Sequence, residues 1–189
     1  LTAMITPFDA NDRSDEGATV ALMHRLVESG SDGLVLSGTT GEASTLTDDE
    51  KLQLFALGMR ELGGRATIIA GTGSNDTAHS VHLTRKAAEL GVDAVLAVTP
   101  YYNRPPRAGI VGHFRAIADV GIPVIVYNIP SRCVINLPPD LLRELSEIDN
   151  IIGVKEANPD QVDGTLAIED FLVYAGNDDL LLPIVSGGG

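Results

Sequence analysis

Two rhythms of apolar residues alternate along this chain. Short continuous runs occur at Ala3–Thr6, Gly33–Ser37, Thr67–Ala70, Ala94–Val98, Pro123–Tyr127, Ile151–Lys155 and Phe171–Ala175. Runs of this length between polar or glycine-rich segments predict strands. They are continuous rather than alternating, so they predict strands covered on both faces, hence a parallel sheet. Between them, apolar residues recur at helical spacing. Ala18–Ser29 carries Val20, Leu22, Met23, Leu26 and Val27, and Asp48–Leu62 carries Leu52, Leu54, Phe55, Leu57 and Leu62. Thr47 before the second of these, with Glu50 three residues on, is a capping-box pattern. Thr77–Leu90, Gly109–Asp119 and Pro138–Ser146 complete the predicted helices, the last opening on prolines as helix starts often do.

The strand starts at 33, 67, 94, 123 and 151 are 34, 27, 29 and 28 residues apart, roughly one βα unit each. Two architectures accommodate such a repeat: a closed (β/α)8 barrel and an open doubly wound sheet. Gly71-Thr72-Gly73-Ser74-Asn75-Asp76 has two glycines of the three that a dinucleotide loop needs, so the even spacing favours the barrel. The expectation is therefore an α/β, (β/α)8 TIM barrel in which residues 1–189 form one partial catalytic domain. Seven strands are visible, and the chain stops at Ser186-Gly187-Gly188-Gly189, where an eighth should follow. We expect a truncated piece of a longer protein, inactive alone.

Composition narrows the function. With 44% hydrophobic and 21% charged residues, the 189-residue chain reads as a globular domain. A net charge of -13 without any basic run argues against nucleic acid, and no apolar run reaches membrane-spanning length. One cysteine, Cys133, suits a reducing cytoplasm. The histidines and carboxylates fall at no metal-ligand spacing, so no metal is expected.

Lys155 ends an apolar strand, where desolvation disfavours the ammonium and lowers its pKa. Lys51 and Lys86, the other two lysines, lie in polar helical patterns. A neutral amine can attack a ketone and form a Schiff base; the plainer reading is a lysine that snorkels to water. In a barrel, the residues after each strand meet on one catalytic rim. That rim collects Gly38-Thr39-Thr40-Gly41, Tyr101-Tyr102-Asn103, Tyr127-Asn128, Arg132, Lys155 and Gly176. Three of the four tyrosines fall there. Hydroxyls beside a buried amine form a proton relay, which Schiff-base chemistry requires. The Gly38–Gly41 turn can cradle an anion with its backbone N–H groups. Arg132 can grip a carboxylate through two parallel hydrogen bonds. Taken singly, the turn and the arginine have ordinary structural readings.

Six strings occur in order over nearly the whole chain: Ala3-Met4-Ile5-Thr6-Pro7-Phe8, Gly38-Thr39-Thr40-Gly41-Glu42, Ile69-Ala70-Gly71-Thr72-Gly73, Val98-Thr99-Pro100-Tyr101-Tyr102-Asn103, Tyr127-Asn128-Ile129-Pro130-Ser131-Arg132 and Ile152-Gly153-Val154-Lys155-Glu156. Together they resemble the pyruvate-dependent class I aldolase family that includes dihydrodipicolinate synthase and N-acetylneuraminate lyase. The family fold is a (β/α)8 barrel followed by a small helical domain; strand eight and that domain are absent here. Thr39 and Arg132 favour the synthase branch over the lyases.

The resemblance implies condensation of pyruvate with aspartate semialdehyde, without a cofactor, through a covalent Schiff base on Lys155. It implies that Tyr127, Thr39 and Tyr102 relay protons, that Thr40 holds the pyruvate carboxylate, that Arg132 meets the carboxylate of the second substrate, and that Gly176 lies at the substrate. It also implies a cytoplasmic homodimer or homotetramer, with Tyr102 reaching a neighbouring subunit. A regulatory lysine site maps near Ala43, Ser44, Asn75, His79 and Tyr101; His79 replaces the glutamate frequent in lysine-responsive members, which argues against inhibition here. Cys133 departs from the family's usual threonine, and Pro159 and Gly164 predict a stunted sixth helix. A sugar-acid aldolase or lyase and a non-catalytic keto-acid-binding barrel are the competing readings.

Overall fold

A computed structural model describes residues Leu1–Gly189. The elements follow in the order β1 Thr2–Ala3, α1 Glu16–Glu28, β2 Gly33–Leu36, α2 Asp48–Leu62, β3 Thr67–Gly71, α3 Thr77–Glu89, β4 Ala94–Val98, α4 Arg107–Ala118, β5 Val124–Asn128, α5 Pro130–Cys133, α6 Pro139–Ser146, β6 Ile151–Glu156, α7 Val162–Leu166, β7 Leu172–Ala175 and α8 Leu181–Ser186. Strand order in the sheet is the order of the sequence, β1 to β7, and the paired strands run parallel. This is the topology of an incomplete (β/α)8 barrel. No helix is long and apolar enough to cross a membrane.

The chain forms two compact units. The first comprises Leu1–Thr72 and Leu83–Leu96, the second Gly73–His82 and Ala97–Gly189. In the first, all four residues of β2 are buried, as are Ile68, Ile69 and Ala70 of β3, which is why these runs are continuously apolar. Phe55 and Leu62 of α2 and Met23 of α1 are fully buried. Helix α2 begins at the capping box the sequence predicts: Thr47 accepts from the Glu50 N–H and the Glu50 carboxylate accepts from the Thr47 N–H. β1 is shorter and earlier than its apolar run. Met4 donates to the Val35 carbonyl, and by Thr6 the side chain has turned to donate to the Gly41 carbonyl at 2.7 Å.

In the second unit β5 is buried throughout, with Phe114 and Ile117 of α4 and Leu142 of α6 in the core. The register between β5 and β6 slips by one residue after its first pair. Val124 stands opposite Ile151 but Ile125 opposite Gly153, so Ile152 is an extra residue on β6. The segment after β6 is short, as Pro159 and Gly164 predict: a 3-10 turn, Pro159–Gln161, leads into five residues of α7. The four-residue α5 has no counterpart in the predicted elements.

Candidate active site

Lys155 lies one residue before the end of β6. Beyond the slip its register partner on β5 is Tyr127, and on β7 it is Tyr174. The Lys155 amine sits over the Tyr127 ring, 4.6 Å from its centre. A ring face favours a cation, but burial works against it, and the amine's pKa lies below the ordinary lysine range. Lys51, expected to be solvated, is half-buried and lowered in the same sense, with Asp48 opposing the shift. A depressed amine alone therefore does not single out Lys155; its seat at a strand end against a tyrosine does. Tyr174 is the tyrosine the sequence reading leaves aside, and only the register reveals it as a neighbour of Lys155.

Tyr127 is buried, 4% exposed. Its carbonyl accepts both the N–H and the hydroxyl of Thr99, at 3.2 and 2.9 Å. Thr99 is itself wholly buried, so this double grip holds the backbone that carries the phenol.

Side chains alternate along a strand, so Asn128 and Glu156 face away from Tyr127 and Lys155. Both are fully buried. Four donors meet the Glu156 carboxylate: Asn128 Nδ2, the Asn158 N–H and Gln161 Nε2, each at 2.8 Å, and the Thr165 hydroxyl at 3.2 Å. Burial pushes the Glu156 pKa up, and the Asn158, Gln161, Asn128 and Thr165 donors oppose that. Asn136 extends the network, accepting from Asn128 Nδ2 at 3.0 Å and from Asn158 Nδ2 at 3.1 Å, and donating to Gln161 Oε1 at 2.7 Å. Leu137 fixes the amide orientations: its N–H donates to Asn128 Oδ1 and its carbonyl accepts from Gln161 Nε2.

Arg132 is exposed on α5. Val134, directly after that helix, adopts left-handed φ 61°, a strained choice for a β-branched residue. Tyr102 is 87% exposed and also left-handed, φ 67°; the neighbouring Asn103 side chain donates to the Asn75 carbonyl at 3.2 Å. Gly176 donates to the Glu156 carbonyl at 2.6 Å, and a Cβ there would stand 2.7 Å from that oxygen. The close approach of the two strand ends is thus enough to require glycine.

In the first unit, Thr39 and Thr40 are exposed in the turn after β2. The turn is closed by the Gly41 and Ala43 N–H groups donating to the Gly38 carbonyl and by Glu42 N–H donating to Thr39 O. These bonds leave the Thr39 and Thr40 N–H groups unused, as an anion cradle requires. A Cβ on Gly41 would crowd the Met4 carbonyl at 3.0 Å. Ala43 and Ser44 follow in the same loop. In the second unit His79 lies in the first turn of α3, its N–H donating to Asp76, and Tyr101 is half-buried after β4. No group of three or more His, Cys, Asp or Glu side chains is arranged to hold a metal ion.

The profile of the dihydrodipicolinate synthetase family matches residues 1–189. The 4-hydroxy-tetrahydrodipicolinate synthase of Mycobacterium leprae is 50% identical over 191 residues, covering 100% of this chain and 64% of its own length. Dihydrodipicolinate synthase from Bacillus anthracis superposes with a TM-score of 0.95 at 43% identity, over 100% of this chain and 66% of that one. The chloride-inhibited dihydrodipicolinate synthase from Acinetobacter baumannii, crystallised with pyruvate, gives 0.96 at 37% identity, again over 100% and 66%. The chain thus spans 64% of the Mycobacterium leprae relative it matches.

Proposed function

This chain belongs to the dihydrodipicolinate synthetase family, and from that premise we propose that the protein carrying it joins pyruvate to aspartate semialdehyde, yielding 4-hydroxy-tetrahydrodipicolinate for lysine and diaminopimelate synthesis. The observation that carries this reading is the Lys155 amine, desolvated at a strand end over the Tyr127 ring. Its nitrogen attacks the keto carbon of pyruvate, water leaves the carbinolamine, and the Schiff base forms. Loss of a methyl proton gives an enamine that attacks the aldehyde carbon. The amino group of the second substrate then closes the ring onto the imine carbon and releases Lys155.

The protons in these steps pass through Tyr127, with Thr39 and Tyr102 completing the relay. Thr40 and the N–H groups of the Gly38–Gly41 turn hold the pyruvate carboxylate, Gly176 adjoins the substrate, and Arg132 receives the carboxylate of aspartate semialdehyde. The imine itself is the electron sink, so the chemistry needs no cofactor. Support for the keto acid comes from the Acinetobacter baumannii relative, which was crystallised with pyruvate. Residues 1–189 act as the larger part of the catalytic domain of a cytoplasmic homodimer or homotetramer. The 87% exposure of Tyr102 suits a side chain that enters a neighbouring subunit. Ala43, Ser44, Asn75, His79 and Tyr101 mark the regulatory region, without lysine inhibition.

The test is reductive trapping. Full-length protein treated with pyruvate and borohydride should gain one irreversible adduct on Lys155, read by mass, and Lys155→Ala should gain none. An intact protein that pyruvate leaves unmodified would end the Schiff-base reading. A sugar-acid aldolase has less use for Arg132; Arg132→Ala should therefore impair turnover with aspartate semialdehyde far more than adduct formation.

A further inference from the structure

The segment that carries Arg132 begins and ends on one side chain. Asn128 donates from Nδ2 to Asn136 Oδ1 and accepts at Oδ1 from the Leu137 N–H, both at 3.0 Å. The end of β5 is thereby tied to the far end of the excursion that contains α5. Three further bonds lock the tie: Asn136 Nδ2 to Gln161 Oε1, Gln161 Nε2 to Leu137 O, and Asn128 Nδ2 to Glu156. Left-handed Val134 lies within the tied segment, and such a conformation persists only where the surroundings over-determine it. None of these groups faces Lys155, because Asn128 and Glu156 occupy the opposite side of their strands.

We infer that Asn128 and Asn136 form a staple, braced by Glu156, that positions the Arg132 segment for the second substrate and thereby governs its capture separately from pyruvate activation. The inference rests on the proposed function and adds positioning residues that contact neither Lys155 nor substrate. Asn136 is exposed, so its truncation opens the staple without leaving a cavity in the core.

The experiment is steady-state kinetics on the full-length enzyme for Asn136→Ala, Arg132→Ala and the pair, with borohydride trapping of pyruvate in parallel. In Asn136→Ala, kcat/KM for aspartate semialdehyde should fall roughly 10- to 100-fold, the scale of an ångström-level misplacement. Its kcat/KM for pyruvate and its adduct yield should stay within about twofold of wild type. In the Arg132→Ala background the same truncation should remove less than about threefold more, because the group it positions is already gone. An unchanged aldehyde parameter, an equal loss for pyruvate, or losses that multiply in the pair would each overturn the staple. Wild-type protein that forms no pyruvate adduct would end the functional reading and the staple with it; a normal wild-type adduct with multiplying losses would end the staple alone.

Discussion

The Lys155 amine stands 4.6 Å from the centre of the Tyr127 ring because the two residues are register partners on adjacent parallel strands. The pairing is a backbone property, fixed before either side chain chooses a rotamer. Burial lowers the amine's pKa, so the neutral, nucleophilic form is populated below the pH at which an ordinary lysine would lose its proton. The rate of pyruvate adduct formation should rise with pH through an inflection below the normal lysine range, measured by quenching with borohydride at fixed times. An inflection at the normal value would mean the amine is solvated.

The same burial has a stability cost. Between the folded and unfolded pKa of Lys155 the unfolded chain binds more protons, so this residue's contribution to stability is poorest at low pH and improves as pH rises. Lys155→Met removes the charge and keeps the packing. We expect it to abolish the adduct while raising stability at neutral pH by about 1 kcal/mol, measured by urea unfolding.

Tyr127→Phe keeps the ring under the amine and deletes the proposed proton carrier. Adduct formation should slow by roughly 10²- to 10⁴-fold, with the fold unchanged by circular dichroism. Retention of the wild-type rate would move the relay to another hydroxyl, and Tyr174, the other register partner of Lys155, is the first to replace.

His113 offers a test of the second unit away from the chemistry. It is 3% exposed, with Nδ1 bonded to the Thr77 hydroxyl and Nε2 buried without a partner. Burial lowers its pKa from 6.5 to about 4, against a weaker pull from Asp76. The unfolded chain takes up the proton first, so stability is intact above pH 6.5 and declines as pH falls toward 4. The loss should approach about 3 kcal/mol. His113→Phe should flatten this slope in denaturant titrations between those limits.

Val134 tests the tied segment energetically. Asparagine tolerates the left-handed region far better than a β-branched residue. Val134→Asn should raise stability by about 1 kcal/mol, or ~2–4 °C in Tm. A drop in Tm would indicate that the valine side chain contributes packing that outweighs its strain.

Much of this was legible in residue order, for local reasons. Thr47 and Glu50 mark the start of α2 because a capping box is a short-range signal. Pro159 and Gly164 announce the brevity of α7 because both are poor helix residues. β1 misleads because Met4 and Ile5 prolong its apolar run after the chain has left the ladder, and α5 is too short to display a period. The amide network is illegible for a different reason. Asn128 and Glu156 each stand one residue past the side chains that attract attention, and only their bond across the two strands and their non-periodic contacts with Asn136, Leu137 and Gln161 explain two polar groups in buried strands. Gly176 looks like a substrate contact from its strand end, whereas its tightest visible constraint is the Glu156 carbonyl.

The slip at Ile152 decides which half of a Lys-Glu pair meets which chemistry. Were the same residues paired without the slip, Ile125 would stand opposite Ile152 and Asn128 opposite Lys155, so the amine would arrive among the amides and the carboxylate on the phenol's side. The nucleophile of this protein is consequently specified by counting as much as by composition. A single-codon deletion at Ile152 would remove only the extra residue and leave Tyr127 opposite Lys155; the count that matters runs from Gly153 onward.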